Sequence, residues 1–200
     1  MALNLRAPAI LLAARPHGET AVIARLLTEE FGMVAGYVAG GRGRQLRPVV
    51  IPGNLVELEL RAKSDSQLPF AKLELVESRG PWLSEPLPAA AIQWATALTA
   101  TALPERNAYP NLYSALVALL DAVCQAPSAR GWAPALLSYE ALLLRELGYG
   151  GVKPEASELA EVLSAMEKLA DPLQRYLLAD RRGDTLAARE QLLARLRKMV

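Results

Sequence analysis

Three arginines, Arg42, Arg44 and Arg47, stand close together in the stretch Gly40-Gly41-Arg42-Gly43-Arg44-Gln45-Leu46-Arg47-Pro48, with no carboxylate between them. A guanidinium presents a planar fork of donors that matches phosphate oxygens, and glycines let a second backbone approach closely. The stretch is too rich in glycine for a helix interior and too charged for a central strand, so it reads as a loop. From the loop alone, a phosphate-binding surface and a merely solvated loop are both open. Its surroundings favour the first. Residues 1–64 hold eight Lys/Arg against five Asp/Glu, whereas residues 81–200 hold twelve against thirteen. The first part of the chain is therefore the one expected to face a polyanion. The expected contact set is Arg42, Arg44, Arg47, Arg15, Arg25, Arg61, Lys63 and Tyr37. Tyr37 and Phe31 are the aromatics of this region up to the basic loop, and either is able to stack on a base or to pack in a core.

Other chemistry is poorly supplied. His17 is the single histidine and Cys124 the single cysteine. A two-His metal site, an internal disulfide and a Cys-rich zinc cluster are thus excluded within this sequence. His17 reads as a turn residue, and Cys124 as a buried thiol on a helix face. No Gly-Lys-Ser/Thr triplet marks a phosphate loop, and no apolar helix follows Gly40-Gly41-Arg42-Gly43 as a dinucleotide fingerprint requires. Acidic residues are scattered. No catalytic residue, metal or cofactor is expected, and the chain reads as a binding protein, not an enzyme.

The chain has 200 residues, of which 52% are apolar and 22% charged, with a formal net charge of +1. That composition can support a packed core and excludes general disorder. It also excludes a uniformly basic nucleic-acid binder, leaving a local basic patch. The uncharged stretch 86–104 is diluted by Pro, Thr and Gln and reads as a buried helix, not a membrane span. A cytoplasmic, nucleoid-associated protein is expected.

Two rhythms divide the sequence. Val56, Leu58 and Leu60 alternate with charged residues, as do Ala71, Leu73 and Leu75, giving two half-buried strands. Three more apolar runs, Ala9 to Ala14, Ala21 to Thr28 and Met33 to Ala39, precede them. Turns are expected at Arg15-Pro16-His17-Gly18 and at Glu29-Glu30-Phe31-Gly32. From Gly80-Pro81 onward the period is helical. Helices are expected from about Pro88, Pro110, Pro134 and Pro154, with a short one after Pro172 and a last one capped by Asp184. The expected fold is α+β with two domains: a five-stranded oligonucleotide-binding (OB) barrel over 1–80 and a helical domain over 81–200.

The segments Arg15-Pro16-His17-Gly18-Glu19 and Thr28-Glu29-Glu30-Phe31-Gly32-Met33-Val34-Ala35-Gly36-Tyr37, the basic loop, and Ile51-Pro52-Gly53-Asn54-Leu55 together resemble the bacterial DNA repair protein RecO family. Arg145-Glu146-Leu147-Gly148-Tyr149-Gly150 resembles the end of a helix in the same family. In place of the family's Leu-Gln-Pro-like step into the fourth strand, this chain has Val50-Ile51-Pro52. The resemblance implies an OB domain followed by a helical one, and no enzymatic activity. It implies binding of single- and double-stranded DNA, annealing of complementary strands, and loading of the RecA recombinase onto DNA coated with single-stranded DNA-binding protein, together with RecR. It also implies that the helical domain docks the acidic, Phe-terminated tail of the coating protein. Arg130, Trp132 and Arg145 are the candidate rim and wall of that docking site. Many relatives carry a four-Cys zinc module after the Leu-Gly-Tyr-Gly segment. Here Gly151-Val152-Lys153-Pro154 stands in its place and is expected to lead straight into a helix.

Two rival readings remain. One is an interaction adaptor whose helical domain docks an acidic C-terminal peptide while the barrel binds nucleic acid weakly. The other is an RNA-binding OB protein of translation.

Overall fold

The computed structural model describes residues 3–179 and 184–200. The first five elements are strands β1 (Leu3–His17), β2 (Ala21–Thr28), β3 (Gly32–Val38), β4 (Leu55–Ala62) and β5 (Phe70–Glu77). Antiparallel ladders join β1 to β2, β2 to β3, β4 to β5 and β4 back to β1. A short parallel contact at Tyr37–Phe70 joins β3 to β5, so the sheet closes as a barrel of order β1-β2-β3-β5-β4. This is the architecture expected of an OB fold, and closure removes the unpaired strand edges. Inward-facing Leu5, Ala9, Leu11, Val22, Ala24, Leu26, Val34, Val38, Val56, Leu58, Leu60, Ala71 and Leu73 form its core.

β1 is longer than the expected Ala9–Ala14 run, and the turn is shorter. The ladder continues through Pro16↔Val22 and His17↔Ala21, so the turn is residues 18–20. β1 serves two neighbours: residues 3–10 pair with β4 and residues 9–17 with β2, with a bulge between Leu11 and Ala13. Such a bulge bends a strand around a barrel. Pro16 is tolerated because its part of β1 lies beyond the ladder to β4, so the missing N–H leaves no bond unmade on that side. Leu75, expected inside, is 43% exposed. It lies where the β4–β5 register shifts between Leu55 and Val56, so the alternation breaks there.

Gly32 opens β3 with φ +68°, and a Cβ at this position would lie 2.0 Å from the Asn107 carbonyl oxygen. Residues 103–110 belong to the same compact unit as residues 1–81. There the Arg106 N–H donates to the Met33 carbonyl at 2.8 Å. Hydrophobic periodicity gives no sign of this return.

The second unit comprises residues 82–102 and 111–200. Its helices are α1 (Pro86–Ala102), α2 (Pro110–Gln125), α3 (Ala133–Glu146), α4 (Leu159–Pro172) and α5 (Asp184–Arg197). α1 packs on α5 and α3 on α4. The buried stripe of α2, Leu112, Leu116, Leu119 and Val123, follows the helical spacing read from the sequence. Gly148, with φ +85°, ends the third helical segment. α4 starts at Leu159 rather than Pro154, and residues 151–157 form no regular element. The first side chains of α4 that reach the core are Leu159, Val162, Leu163 and Met166, so packing sets its start. The short helix expected after Pro172 is a π-helical turn, Leu173–Leu177, which continues directly from α4 and is closed by Leu178 N–H to the Leu173 carbonyl at 3.1 Å. The side chain of Asp184, expected to cap α5, lies outside the described residues.

The helical core holds a buried ion pair that periodicity does not announce. The Arg189 guanidinium donates from Nε to Glu140 Oε1 at 2.9 Å and from Nη2 to Oε2 at 2.8 Å. Nη2 also donates to the Met166 carbonyl, and Trp94 Nε1 donates to Glu140 Oε1 at 2.7 Å. Both charged side chains are fully buried, and the pair ties α5 to α3.

Candidate nucleic-acid interface

The basic loop is a built structure. Its second half folds back on the barrel: Val49 is buried in the barrel core, with Leu46 and Val50 packed partly against it. Asn54, fully buried, holds the segment. Its side-chain N–H groups donate to the Pro48 and Val49 carbonyls, both at 3.0 Å, and its Oδ1 accepts the Arg79 N–H at 2.7 Å. Gly41 lies directly under Val22, whose Cγ2 would be 2.6 Å from any added Cβ. This glycine is therefore required by close packing.

The three loop arginines do different things. The Arg42 N–H donates to the Thr20 carbonyl at 2.9 Å, and Nη1 donates to the Gly18 and Glu19 carbonyls at 3.2 and 3.0 Å. Arg42 thereby ties the loop to the β1–β2 turn. Arg47 donates from Nη2 to the Arg42 carbonyl at 3.2 Å. Arg44 is exposed, with no side-chain hydrogen bond or ion pair among the described residues. None of the three is neutralised by a carboxylate among the described residues. Arg15, exposed three residues before Gly18, shares that property. One end of the barrel thus carries four uncompensated guanidiniums, two of them held in place by backbone carbonyls.

The strand registers assemble a second feature. Arg15 pairs with Ile23, Ile23 with Tyr37, Tyr37 with Phe70, and Phe70 with Arg61. These outward-facing positions form one transverse row across β1, β2, β3, β5 and β4. The His17 and Tyr37 rings meet edge to face with centroids 5.8 Å apart, and Tyr37 meets Phe70 likewise at 5.4 Å. Phe70 is 65% exposed. It was not among the residues singled out from sequence, yet its signal is present: it lies one position before inward-facing Ala71 in a period-two run, so it must face outward. Phe31 lies in the β2–β3 turn, where its N–H donates to Thr28 Oγ1, and is not part of the row.

Two members of the expected contact set are compensated locally. Arg25 pairs with Glu105 at 3.5 Å, and Arg61 pairs with Glu59. Exposed pairs of this kind are weak and open to competition from phosphate. Lys63, just beyond β4, has no ion pair among the described residues. Across the β4–β5 loop the charge changes sign: a cleft of about 620 Å³ is lined by Arg61, Lys63, Gln67, Leu68 and Phe70, and one of about 580 Å³ on the other side of Leu68 by Glu30, Asp65, Glu105 and Arg106.

In the helical unit, Trp132 is only 1% exposed and forms a wall, not a contact surface. It backs a cleft of about 420 Å³ lined by Pro86, Leu87, Pro88, Pro127 and Met199. Arg130 lies beside it and donates to the Met199 carbonyl at 2.6 Å. Arg145 does not join them. Trp132 precedes the first turn of α3 and Arg145 lies in its last, about 20 Å along the axis. The spacing of a straight helix separates what the sequence reading had grouped. No three His, Cys, Asp or Glu side chains among the described residues are grouped so as to hold a metal ion. No helix among them is long and apolar enough to cross a membrane.

Comparison with known proteins gives a consistent match. The family model for the Recombination protein O N terminal matches residues 1–79, and that for the Recombination protein O C terminal matches residues 84–151. Among curated relatives, the DNA repair protein RecO of Rhodospirillum centenum is 44% identical over 143 residues, covering 71% of this chain and 56% of its own length. The DNA repair protein RecO of Caulobacter vibrioides is 41% identical over 151 residues, covering 75% and 59%. That of Rhodospirillum rubrum is 39% identical over 162 residues, covering 76% and 64%. The chain thus spans less than two thirds of the length of these relatives.

Proposed function

Because the chain belongs to the Recombination protein O family, we propose that it is a DNA repair and recombination mediator working by binding, with no catalytic step. It holds single- and double-stranded DNA on its barrel and anneals complementary strands. With RecR, it helps RecA to load onto DNA coated with single-stranded DNA-binding protein. The observation that carries this reading is the cluster of Arg15, Arg42, Arg44 and Arg47 at one end of a closed barrel, without a carboxylate partner among the described residues. Such a surface neutralises phosphates without reading sequence. Two complementary strands laid on it repel each other less, which favours their pairing. A strand-annealing assay with complementary oligonucleotides, with and without the coating protein, tests the proposal. Acceleration of pairing supports it, and no acceleration in either condition contradicts it.

A second reading has its own support. The largely apolar cleft backed by Trp132, with Glu85 in its lining and Arg130 beside it, is the candidate dock for the apolar end of an acidic peptide. On this reading the helical unit is the principal docking module, and nucleic-acid binding by the barrel is weak. Titration of a labelled acidic C-terminal peptide alongside a DNA oligonucleotide separates the two by their relative affinities.

A further inference from the structure

We infer that the cleft between Phe70 and the β4–β5 loop is a pocket for a single unpaired nucleobase, and that it is where this chain distinguishes single-stranded from paired DNA. The inference rests on the nucleic-acid reading of the barrel and adds a substrate class to it. The cleft has a volume of about 620 Å³, within the usual range of small-molecule sites. Four kinds of group converge there. Phe70 offers an aromatic face: at 65% exposure its ring is largely bare, while an edge-to-face contact with Tyr37, at 5.4 Å and 75°, fixes its orientation. Leu68, itself 43% exposed, adds an apolar side chain to the lining. Arg61 and Lys63 bring two cations within reach of a phosphate. Asn4 and Gln67 bring carboxamides, each carrying both a donor and an acceptor.

A nucleotide requires this combination: a π-face for the base, hydrogen-bonding partners for its edge and positive charge for its phosphate. A base inside a duplex is stacked on both sides and has its pairing edge occupied. Only an unpaired or extruded base can enter, and extrusion is costly. The neighbouring cleft across Leu68 mixes Glu30, Asp65 and Glu105 with Arg106, whereas the charged residues lining the Phe70 cleft are Arg61 and Lys63. Phe70 lies in register with Arg15 and Arg61, which stand at either end of the row.

The test uses the full chain and a 12-nucleotide DNA containing 2-aminopurine, single-stranded or annealed to its complement. The wild-type chain is expected to change the fluorescence of the single strand on binding. Phe70→Ala is expected to lower single-strand affinity about tenfold while leaving duplex affinity within twofold. Phe70→Trp is expected to restore it. Lys63→Ala serves as a second variant that leaves the aromatic contact intact, and it should weaken single-strand binding while keeping the fluorescence change. Equal loss for both DNA forms in Phe70→Ala, or no loss in either, overturns the pocket while leaving the basic-surface reading in place. A wild-type chain that binds neither form overturns both.

Discussion

Tyr37 and Phe70, thirty-three positions apart in sequence, form the parallel junction that closes the barrel, their ring centroids 5.4 Å apart and their planes at 75°. The same pairing joins β3 to β5 and sets an exposed aromatic ring between Tyr37 and Arg61. Closure of the fold and assembly of the candidate interface are therefore one structural event.

Arg42 and Arg44 are expected to separate in their effects. Arg42 donates to the Gly18 and Glu19 carbonyls, so Arg42→Ala loosens the loop as well as removing charge. Its melting temperature should fall by a few degrees, in keeping with hydrogen bonds worth about 1 kcal/mol each. Arg44→Ala should leave the melting temperature unchanged and weaken only DNA binding. Thermal unfolding followed by circular dichroism, with DNA titrations in parallel, distinguishes the two.

Gly32→Ala should be among the most damaging small substitutions in the barrel. Its backbone is left-handed and its Cβ would overlap the Asn107 carbonyl, so either β3 or residues 103–110 must move. A loss of at least about 2 kcal/mol in urea unfolding is expected. An unchanged midpoint would show that residues 103–110 do not pack on β3 as described.

The Glu140–Arg189 pair should behave as a unit. Arg189→Met alone strands a buried carboxylate and should cost about 3–5 kcal/mol. Combining it with Glu140→Gln removes the charge while keeping an acceptor for Trp94 Nε1, and should recover most of that loss. Urea unfolding of the single and double variants measures the coupling, and additive losses would contradict it.

Tyr139 gives an alkaline signature. Burial pushes its hydroxyl well above the ordinary value of 10.0, with the hydrogen bond to Thr99 opposing. In the unfolded chain it ionises near 10, so its contribution to stability is complete below that pH and is lost as pH rises above it, towards the folded value. Tyr139→Phe should flatten the decline of stability above pH 10. Urea midpoints measured from pH 8 to pH 11 show the difference.

The sequence reading succeeded where local pattern and packing coincide. Val56, Leu58 and Leu60 alternate and face the barrel core; Leu112, Leu116, Leu119 and Val123 recur at helical spacing and line one face. The basic loop was legible because charge and glycine content are local properties. Phe70 was missed because its importance depends on a β3–β5 register fixed by barrel closure, across thirty-three positions. The compensation of Arg25 by Glu105 depends on the return of residues 103–110, which no period announces. Asn54 acts through backbone groups, its N–H groups on two carbonyls and its Oδ1 on the Arg79 N–H, and since every residue carries a carbonyl nothing in the sequence marked which ones it would hold. Arg145 was grouped with Trp132 although the helix expected from Pro134 already sets the two at opposite ends.

The most direct test of the basic-surface account is the salt dependence of single-strand binding for the wild-type chain and for the triple variant Arg42→Ala/Arg44→Ala/Arg47→Ala, measured by fluorescence anisotropy. Each phosphate neutralised on a single strand contributes about 0.7 to the slope of log affinity against log salt. The triple variant is expected to bind more weakly at low salt, with a slope shallower by about 2. An unchanged affinity and slope would place the phosphates elsewhere and contradict the account.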